Sequence, residues 1–303
     1  MKYFLPMTSR VALFWILSSA CALAADCRIM TWDLEDAYPL EKAATIARVI
    51  KKHHADIVAL QSVQTHGTKF HDAIQEELDK LFGRDVYQHV ATRGSRFDGN
   101  AVFWNTRTVQ VNGSSVENSL QSVCPHQTPM ELLHVKAGTF EFQFINVCLD
   151  QDEDENDDTE VKQASLLRRF IKKIQGTEAS PVIVAGNFDM GFPDERVYDQ
   201  VMDDYDDESN PAYHKLNSDN FLKFCTRDIV KKHPRAFSYI GDILEGGRLT
   251  DHIAANDAAW KQYKNGSAEV IRVDKEFYSG LEDYEWNFSD HLPVAADFQR
   301  SQR

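Results

Sequence analysis

The sequence lacks the short motifs that mark several common enzyme classes. Its five cysteines are scattered, with no C-x-x-C pair and no Cys/His spacing typical of a zinc site. It contains neither a G-x-x-x-x-G-K-[ST] phosphate loop nor a G-x-S-x-G nucleophile elbow. No internal repeat or low-complexity linker divides the chain. These absences argue against a P-loop NTPase, an α/β-hydrolase and a repeat protein, and they favour one continuous folded unit.

Positive charge is also scarce. Lys and Arg total 33 against 47 Asp and Glu, which gives a formal net charge of −14. So acidic a chain is a poor candidate for coating nucleic acid non-specifically. A nuclease remains possible, since it needs only a local positive or metal-bearing groove. The 303 residues, 43% of them hydrophobic, suffice for one large core or two modest ones.

The longest uninterrupted apolar run lies at the N-terminus, over residues 11–17, and is preceded by Lys2 and Arg10. Small residues follow it and provide an Ala-Leu-Ala cleavage site. This pattern predicts a secretory signal peptide over residues 1–24 and a single mature domain over 25–303. The run is too short for a membrane span. We therefore expect a secreted or periplasmic protein without stable membrane insertion.

A lipoprotein signal at Cys21 is the alternative interpretation of the N-terminus. It is disfavoured because Ser18 stands where a large aliphatic residue would be needed. Cleavage after residue 24 leaves four cysteines, which allow three disulfide pairings in an oxidising compartment or remain free and buried. These four are Cys27, Cys124, Cys148 and Cys225.

The periodicity of apolar residues predicts alternating helices and strands. Helical spacing covers residues 40–54, 69–81 and 160–175, and strand patterns cover 27–32, 55–61, 237–240, 249–254 and 294–298. Two further pairs, 100–105 with 108–111 and 132–135 with 139–149, are predicted as antiparallel hairpins or meanders. This mixture predicts an α/β protein in which two sheets pack together with helices outside.

One stretch, residues 181–189, combines a buried strand with polar residues at its end. The run Val-Ile-Val is typical of a strand covered on both faces, and Gly186 allows a sharp turn after it. Asn187 and Asp189 are two residues apart, so their side chains point the same way if the chain stays extended. A strand followed by an ordinary Asx turn is the alternative interpretation.

Other predicted strands also end in polar residues suited to a metal or to acid–base chemistry. Each one alone is compatible with a turn or a helix cap, but their repeated placement at strand ends predicts one shared site. These residues are Asp33, Glu35, Gln61, Asn146, Asn187, Asp189, Asp251, His252, Asp290 and His291.

The segments around these residues resemble the motifs of one superfamily. Residues 28–35 resemble a strand ending in W-N-L-E, 55–63 resemble D-I-V-A-L-Q-E-V, and 144–149 resemble a strand ending in N-x-H-L. Residues 182–189 resemble V-I-V-x-G-D-F-N, 237–239 with 249–252 resemble Y-S-Y followed by L-x-D-H, and 289–294 match S-D-H-x-P-V. Together they resemble the endonuclease/exonuclease/phosphatase superfamily, which has the DNase I-like fold.

That resemblance implies a four-layer α/β/β/α sandwich of two mixed sheets. It also implies hydrolysis of a phosphodiester or phosphomonoester assisted by Mg²⁺ or Mn²⁺, on a substrate that can be nucleic acid, by a monomeric protein. The implied catalytic residues are His291, Asp251, Asn146 and Asn187. The implied metal ligands are Asp33, Glu35, Asp189 and Asp290.

The sequence departs from the family motifs at several site positions. The metal-binding glutamate falls at Ser62, the first-motif asparagine is Asp33, and a motif histidine is Cys148. The order of acid and amide is exchanged at Asn187 and Asp189. Three hypotheses follow. The chain is an attenuated hydrolase in which Asp33, Glu35 and Asp189 rebuild the metal site, or a degenerate member that binds a ligand or protein partner through the old cleft, or a secreted globular protein whose cleft has no function.

Overall fold

The computed structural model describes most of the chain beyond the predicted signal peptide. The described residues are 26–34, 40–64, 70–93, 98–122, 128–149, 157–176, 179–189, 215–233, 236–240 and 248–300. The predicted signal peptide, Glu35 and Cys124 lie outside these ranges. No helix within them is long and apolar enough to cross a membrane.

Twelve strands form two six-stranded mixed sheets. The strands are β1 (Cys27–Asp33), β2 (Ile57–Gln64), β3 (Tyr87–Arg93), β4 (Asp98–Asn105), β5 (Gln110–Glu117), β6 (Met130–Ala137), β7 (Phe140–Cys148), β8 (Val182–Asn187), β9 (Lys223–Phe224), β10 (Asp251–Ala255), β11 (Glu269–Val270) and β12 (Val294–Phe298). The first sheet has the order β11-β12-β1-β2-β4-β3, and the second has the order β5-β6-β7-β8-β10-β9. Only the pairs β1–β2 and β7–β8 are parallel among these neighbours.

The helices cover the outer faces of the sheets. They are α1 (Lys42–Lys52), α2 (Phe70–Phe82), α3 (Asp157–Gln175), α4 (Arg227–Lys232), α5 (Asp257–Trp260), α6 (Val273–Phe277) and α7 (Leu281–Asn287). The apolar residues of α1 and α2 pack on the first sheet, and those of α3 pack on the second. A third apolar cluster lies between the two sheets. This arrangement confirms the predicted α/β/β/α sandwich.

The two-residue period of the strands explains how one strand serves two cores. In β1, Ile29 joins the cluster between the sheets, whereas Met30 and Trp32 face α1 and α2. Strands that are covered on both faces need apolar residues at nearly every position, as the sequence of β8 also shows.

One predicted pairing is wrong. Residues 100–105 and 108–111 were expected to form a hairpin or meander, but β4 pairs with β2 and β3 in the first sheet, and β5 pairs with β6 in the second. The chain crosses from one layer to the other in the short turn at 106–108. The second predicted hairpin is confirmed as β6–β7.

The strand directions bring many polar residues to one edge of the sandwich. The carboxyl ends of β1, β2, β7 and β8 lie at this edge, because each pair runs parallel. The amino ends of β10 and β12 join them, because these strands run antiparallel to β8 and β1. In this register Asp33 pairs with Gln61, and Asn187 pairs with both Cys148 and Asp251.

Gly186 is required by the close approach of β7 and β8. Its φ is +154°, and a Cβ at this position would lie 1.8 Å from the carbonyl oxygen of Val147. Only glycine fits there without moving a neighbouring strand. The glycine predicted as a turn therefore sets the spacing of the strands beneath the site.

Three of the cysteines lie within the described ranges as thiols. Cys27 and Cys225 are buried, and Cys148 lies half-buried at the edge where the polar residues gather. Within the described ranges, no disulfide joins any two of these residues.

Candidate active site

A buried carboxylate–imidazole pair lies at the polar edge. Asp251, the first residue of β10, places its Oδ2 atom 2.8 Å from Nδ1 of His291, which precedes β12. Both side chains are almost completely inaccessible to solvent. A charge-assisted hydrogen bond of this length in a low-dielectric setting holds the imidazole in one orientation.

Two serines fix the backbone of this pair. The Ser238 hydroxyl accepts a hydrogen bond from the backbone N–H of Asp251 at 3.0 Å. The Ser289 hydroxyl accepts one from the N–H of His291 at 3.0 Å and donates to the carbonyl oxygen of Asp33 at 3.1 Å. The serines of the two sequence motifs therefore position Asp251 and His291 by hydrogen bonds to their backbone N–H groups.

Aromatic residues complete the support of His291. Its carbonyl oxygen accepts hydrogen bonds from the indole of Trp32, at 3.0 Å, and from the hydroxyl of Tyr284. The Trp32 ring stacks on Phe288 with centroids 5.2 Å apart. On the other side, the ring of Tyr239 lies 5.0 Å from the imidazole. The histidine is thus held at its backbone and along its ring.

The charges around His291 keep its imidazole protonated. Burial by itself lowers the pKa of His291, but the carboxylates of Asp251, Asp33 and Asp290 together raise it to about 10. The second oxygen of Asp251, Oδ1, is buried without a hydrogen-bond partner among the described residues. At neutral pH the pair is therefore suited to donating a proton or balancing negative charge, rather than to accepting a proton.

Two departures from the family motifs compensate each other. The amide Nδ2 of Asn187 donates a 2.8 Å hydrogen bond to Oδ2 of Asp33. The family motifs place asparagine at position 33 and aspartate at 187, so this chain has exchanged the two and retains one carboxylate and one amide. The Cys148 thiol lies 3.9 Å from the same Asp33 oxygen. One amide and one carboxylate therefore meet at the polar edge, with the carboxylate on β1 and the amide on β8.

Asp189 closes the strand end with an Asx turn. Its backbone N–H donates to Oδ1 of Asn187 at 2.8 Å, and its own φ is +50°. Aspartate tolerates this left-handed conformation better than most residues do. The strand therefore ends in the Asx turn that was the alternative interpretation of this stretch, and the backbone is not extended at residue 189.

Asn146 lies in a hydrogen-bonded network between the two sheets. Its Oδ1 accepts from the amide of Gln61 at 2.6 Å, and its Nδ2 donates to Oε2 of Glu131 at 3.0 Å. The Gln61 amide oxygen accepts in turn from the Thr31 hydroxyl at 3.2 Å. Burial raises the pKa of Glu131 to about 8, against the opposing hydrogen bonds from Asn146 and Thr92. The network was not predicted from sequence, except for Asn146 and Gln61 as separate strand-end residues.

The polar edge offers few carboxylate ligands for a divalent metal among the described residues. Ser62 follows Gln61 at a bulge between β2 and β4, with φ at +53°, and offers a neutral hydroxyl in place of a carboxylate. In the part of the chain that the structure describes, no three His, Cys, Asp or Glu ligand atoms converge at this edge within 4.8 Å. Mg²⁺ is commonly held by one or two carboxylates and retains several waters, and the Asp33 carboxylate provides such an anchor.

A cation near the pair was missed by the sequence analysis. The guanidinium carbon of Arg248 lies 5.4 Å from the Tyr239 ring centroid, and that ring contacts His291. His252, in contrast, points away from the cleft: its Nδ1 lies 2.8 Å from the Thr226 hydroxyl. Since side chains alternate along a strand, the sequence could have predicted that His252 faces the opposite side from Asp251. Arg248 stands just before the predicted strand and belongs to no motif, so no pattern in the sequence singles it out.

Comparison with known proteins identifies the fold. No family model and no curated protein sequence matches the chain. Among solved structures, it is similar to D. rerio TDP2 complexed with a single-strand DNA product, with a TM-score of 0.63 at 12% identity over 90% of this chain and 99% of that one. An endonuclease/exonuclease/phosphatase from Bacteroides vulgatus gives 0.60 at 16% identity over 90% and 98%.

A mannosyl-6-phosphatase of Bacteroides thetaiotaomicron is also similar, with a TM-score of 0.55 at 14% identity over 89% of this chain and 98% of that one. At identities this low, the structural similarity establishes the fold alone, and the chemistry has to be argued from the residues of the site. The chain has the endonuclease/exonuclease/phosphatase fold, as its motifs predicted.

Proposed function

We propose that the chain is a metal-assisted phosphate-ester hydrolase whose active site is the cleft at the polar edge of the sandwich. The observation that carries this proposal is the buried 2.8 Å contact between Asp251 and His291. Two serines hold the backbone of this pair, and its imidazole is charged at neutral pH. Such a pair is suited to a reaction in which negative charge develops. Asp33 and Asn187 lie beside it, at the ends of β1 and β8.

In the proposed reaction His291 acts as the proton donor. Asp251 holds Nδ1, and Nε2, which lies 3.9 Å from Oδ1 of Asp290, would give its proton to the oxygen that departs from phosphorus. Asn187 is oriented by its hydrogen bond to Asp33. Arg248 adds a guanidinium that pairs with phosphate oxygens in a forked geometry. These groups would bind the phosphate, orient the ester and protonate the leaving oxygen.

The proposed metal is Mg²⁺ or Mn²⁺. Asp33 would hold it at the polar edge. Glu35, Asp189 and Asp290 stay predicted ligands, and the structure does not bring ligand atoms of Asp33, Asp189 and Asp290 within 4.8 Å of one another. When bound, the metal neutralises phosphate charge and lowers the pKa of an attacking water. Since serine replaces the usual glutamate at position 62, we expect weaker metal binding and slower turnover than a complete carboxylate set would give.

Phosphodiesters and phosphomonoesters are both candidate substrates, because the similar solved structures include a DNA-product complex and a phosphatase. We further propose that residues 1–24 are removed on secretion, leaving residues 25–303 as one monomeric domain. Mass spectrometry of the mature N-terminus after expression with an intact export pathway tests the cleavage. A first residue other than Ala25 would contradict the predicted site.

Hydrolysis assays test the main proposal. The purified chain is given bis-p-nitrophenyl phosphate, p-nitrophenyl phosphate or plasmid DNA, with Mg²⁺, Mn²⁺ or EDTA. We expect metal-dependent turnover that falls by about 10²-fold or more in His291→Ala, the usual contribution of a positioned proton donor. His134→Ala is the matched control, since this histidine is exposed on β6. Absence of turnover with every metal at high enzyme concentration would refute the proposal.

A second candidate function is binding without catalysis. It is favoured by Ser62 and Cys148, which replace a metal ligand and a cationic residue of the family motifs. Restoring the motifs with Ser62→Glu, Cys148→His, Asn187→Asp and Asp189→Asn distinguishes the candidates. Asp33→Asn must accompany them, because Asp33 and Asn187 share one hydrogen bond. Activity that appears only in the restored variant supports the binding protein, and equal activity in the parent contradicts it.

A further inference from the structure

Two histidines and an aspartate meet on the outer face of the first sheet. His71 and Asp72 belong to the first turn of α2, and His89 lies on the edge strand β3, against which this helix packs. The Nε2 atoms of His71 and His89 lie 3.6 and 3.7 Å from the same oxygen, Oδ1 of Asp72. Within the described ranges, this is the one group of three His, Cys, Asp or Glu ligand atoms that lie within 4.8 Å of one another.

A hydrogen-bond chain sets the tautomer of His89. The amide nitrogen of Gln75 donates to Asp79 at 2.9 Å and to the carbonyl oxygen of Tyr87 at 2.8 Å, so the amide oxygen of Gln75 must be an acceptor. That oxygen lies 3.1 Å from Nδ1 of His89, which therefore carries the proton. The lone pair of His89 is consequently on Nε2, the atom that faces Asp72.

The ring of His89 is also fixed in place. It stacks on Phe103 with centroids 5.1 Å apart and lies beside the ring of His71 at 5.3 Å. Burial, together with the neighbouring His71, lowers the pKa of His89. A neutral imidazole with one nitrogen hydrogen-bonded to an amide oxygen is the usual state of a metal-binding histidine.

We propose that His71, Asp72 and His89 form a zinc site that joins the start of α2 to the edge strand β3. Tetrahedral zinc with bonds of about 2.0–2.1 Å places its ligand atoms about 3.3 Å apart, close to the separations from Asp72 to the two histidines. Two imidazole nitrogens and one carboxylate oxygen are ligands that zinc accepts, and water takes the fourth position. The Asp72 side chain is 44% exposed, which gives the ion a route from solvent.

This site is separate from the proposed catalytic cleft. Its ligands lie on the helix-covered face of the first sheet, whereas Asp33, Asn187 and Asp251 lie where the carboxyl ends of the central strands meet. Zinc here crosslinks the first turn of α2 to β3, the element that follows it in the chain, so we assign it a role in holding these two elements together. The catalytic proposal can fail without affecting it.

Zinc titration of the full chain tests the site. After dialysis against EDTA, Zn²⁺ is added in competition with a chromophoric chelator, and crystals grown with zinc are measured at its absorption edge. We expect an anomalous peak between His71, Asp72 and His89, and at least tenfold weaker zinc binding in Asp72→Asn and in His89→Gln. Using His291→Ala as the background for all variants removes the histidine of the cleft as a competing ligand.

The controls separate metal binding from folding. His134→Gln removes an exposed histidine on β6 and should leave zinc affinity unchanged. Asp72→Asn is the more informative variant if His89→Gln fails to fold, because the Asp72 side chain is 44% exposed whereas that of His89 is 21% exposed. The proposal is overturned if crystals soaked in excess Zn²⁺ show no anomalous peak at these residues, or if Asp72→Asn binds zinc as tightly as its parent.

Discussion

Glu131→Gln is expected to stabilise the protein increasingly as the pH rises. Glu131 is 1% exposed and shares the inner face of β6 with Leu133 and Val135, which belong to the apolar cluster between the sheets. Its Oε2 accepts from Asn146 at 3.0 Å, and hydrogen bonds from Asn146 and Thr92 offset only part of the effect of burial. Ionising this carboxyl therefore places an incompletely compensated negative charge between two sheets.

The size of the effect follows from linkage. Burial raises the pKa of Glu131 from 4.5 to about 8, so between these values the folded chain holds a proton that the unfolded chain has released. Stability contributed by this residue is highest below pH 4.5 and falls as the pH rises to about 8. The full loss is about 5 kcal/mol at about 1.4 kcal/mol per pKa unit. Glutamine has the same shape and no charge, and it escapes this loss.

Urea unfolding of both proteins from pH 4 to pH 9 measures the difference. The gain in unfolding free energy of Glu131→Gln over the parent should increase between pH 5 and pH 8, with a slope approaching 1.4 kcal/mol per pH unit, and then level off. Glu141→Gln removes the same charge from a side chain that is 64% exposed on the neighbouring strand. A difference that does not vary with pH, or that falls as the pH rises, would refute the reasoning.

Two further predictions concern the residues around the cleft. Gly186→Ala should cost about 3 kcal/mol or more of unfolding free energy, because the new Cβ meets the Val147 carbonyl. The control Gly83→Ala should cost only about 1–2 kcal/mol, because φ is +95° there but no atom lies within 4 Å of the new Cβ. Equal costs for the two variants would contradict the packing argument. Asp251→Asn should lower the pKa of His291 from its value of about 10, because burial then acts with less opposition; an NMR titration of the imidazole that still gives about 10 would show that Asp251 is not the main partner.

The parts of the fold that sequence predicted are those with a strong local pattern. Apolar runs with polar ends identified the cores of β1, β2, β8 and β12, and helical spacing identified α1 to α3 within a few residues. The strand β3 was missed, because its sequence, Tyr-Gln-His-Val-Ala-Thr-Arg, is mostly polar and lies at the edge of its sheet. The pairing of β4 with β5 was wrong, because local alternation identifies a strand but does not say which sheet it joins.

The candidate site shows the same division. Motifs located Asp33, Asn187, Asp251 and His291 at one edge, since strand ends and register follow from the fold. In the sequence alone, the exchange of acid and amide looks like the loss of family site residues. The structure shows that Asp33 and Asn187 are joined by a hydrogen bond. The zinc ligands have no sequence signature, because they come from a helix and a strand that meet only through tertiary packing. Glu131 could have been found from its spacing with Leu133 and Val135.

The pairing of β1 with β12 bears on how the chain folds. Cys27 lies opposite Phe298, so the first strand of the chain completes its sheet only against the last. Contacts of such sequence separation carry a large loop-closure entropy and slow the folding of a domain. During synthesis β1 must wait for almost the entire domain to emerge before it finds this neighbour. Because Asp33 and His291 flank that junction, the candidate site is assembled among the last parts of the molecule, and the proposed activity would be a stringent measure of complete folding.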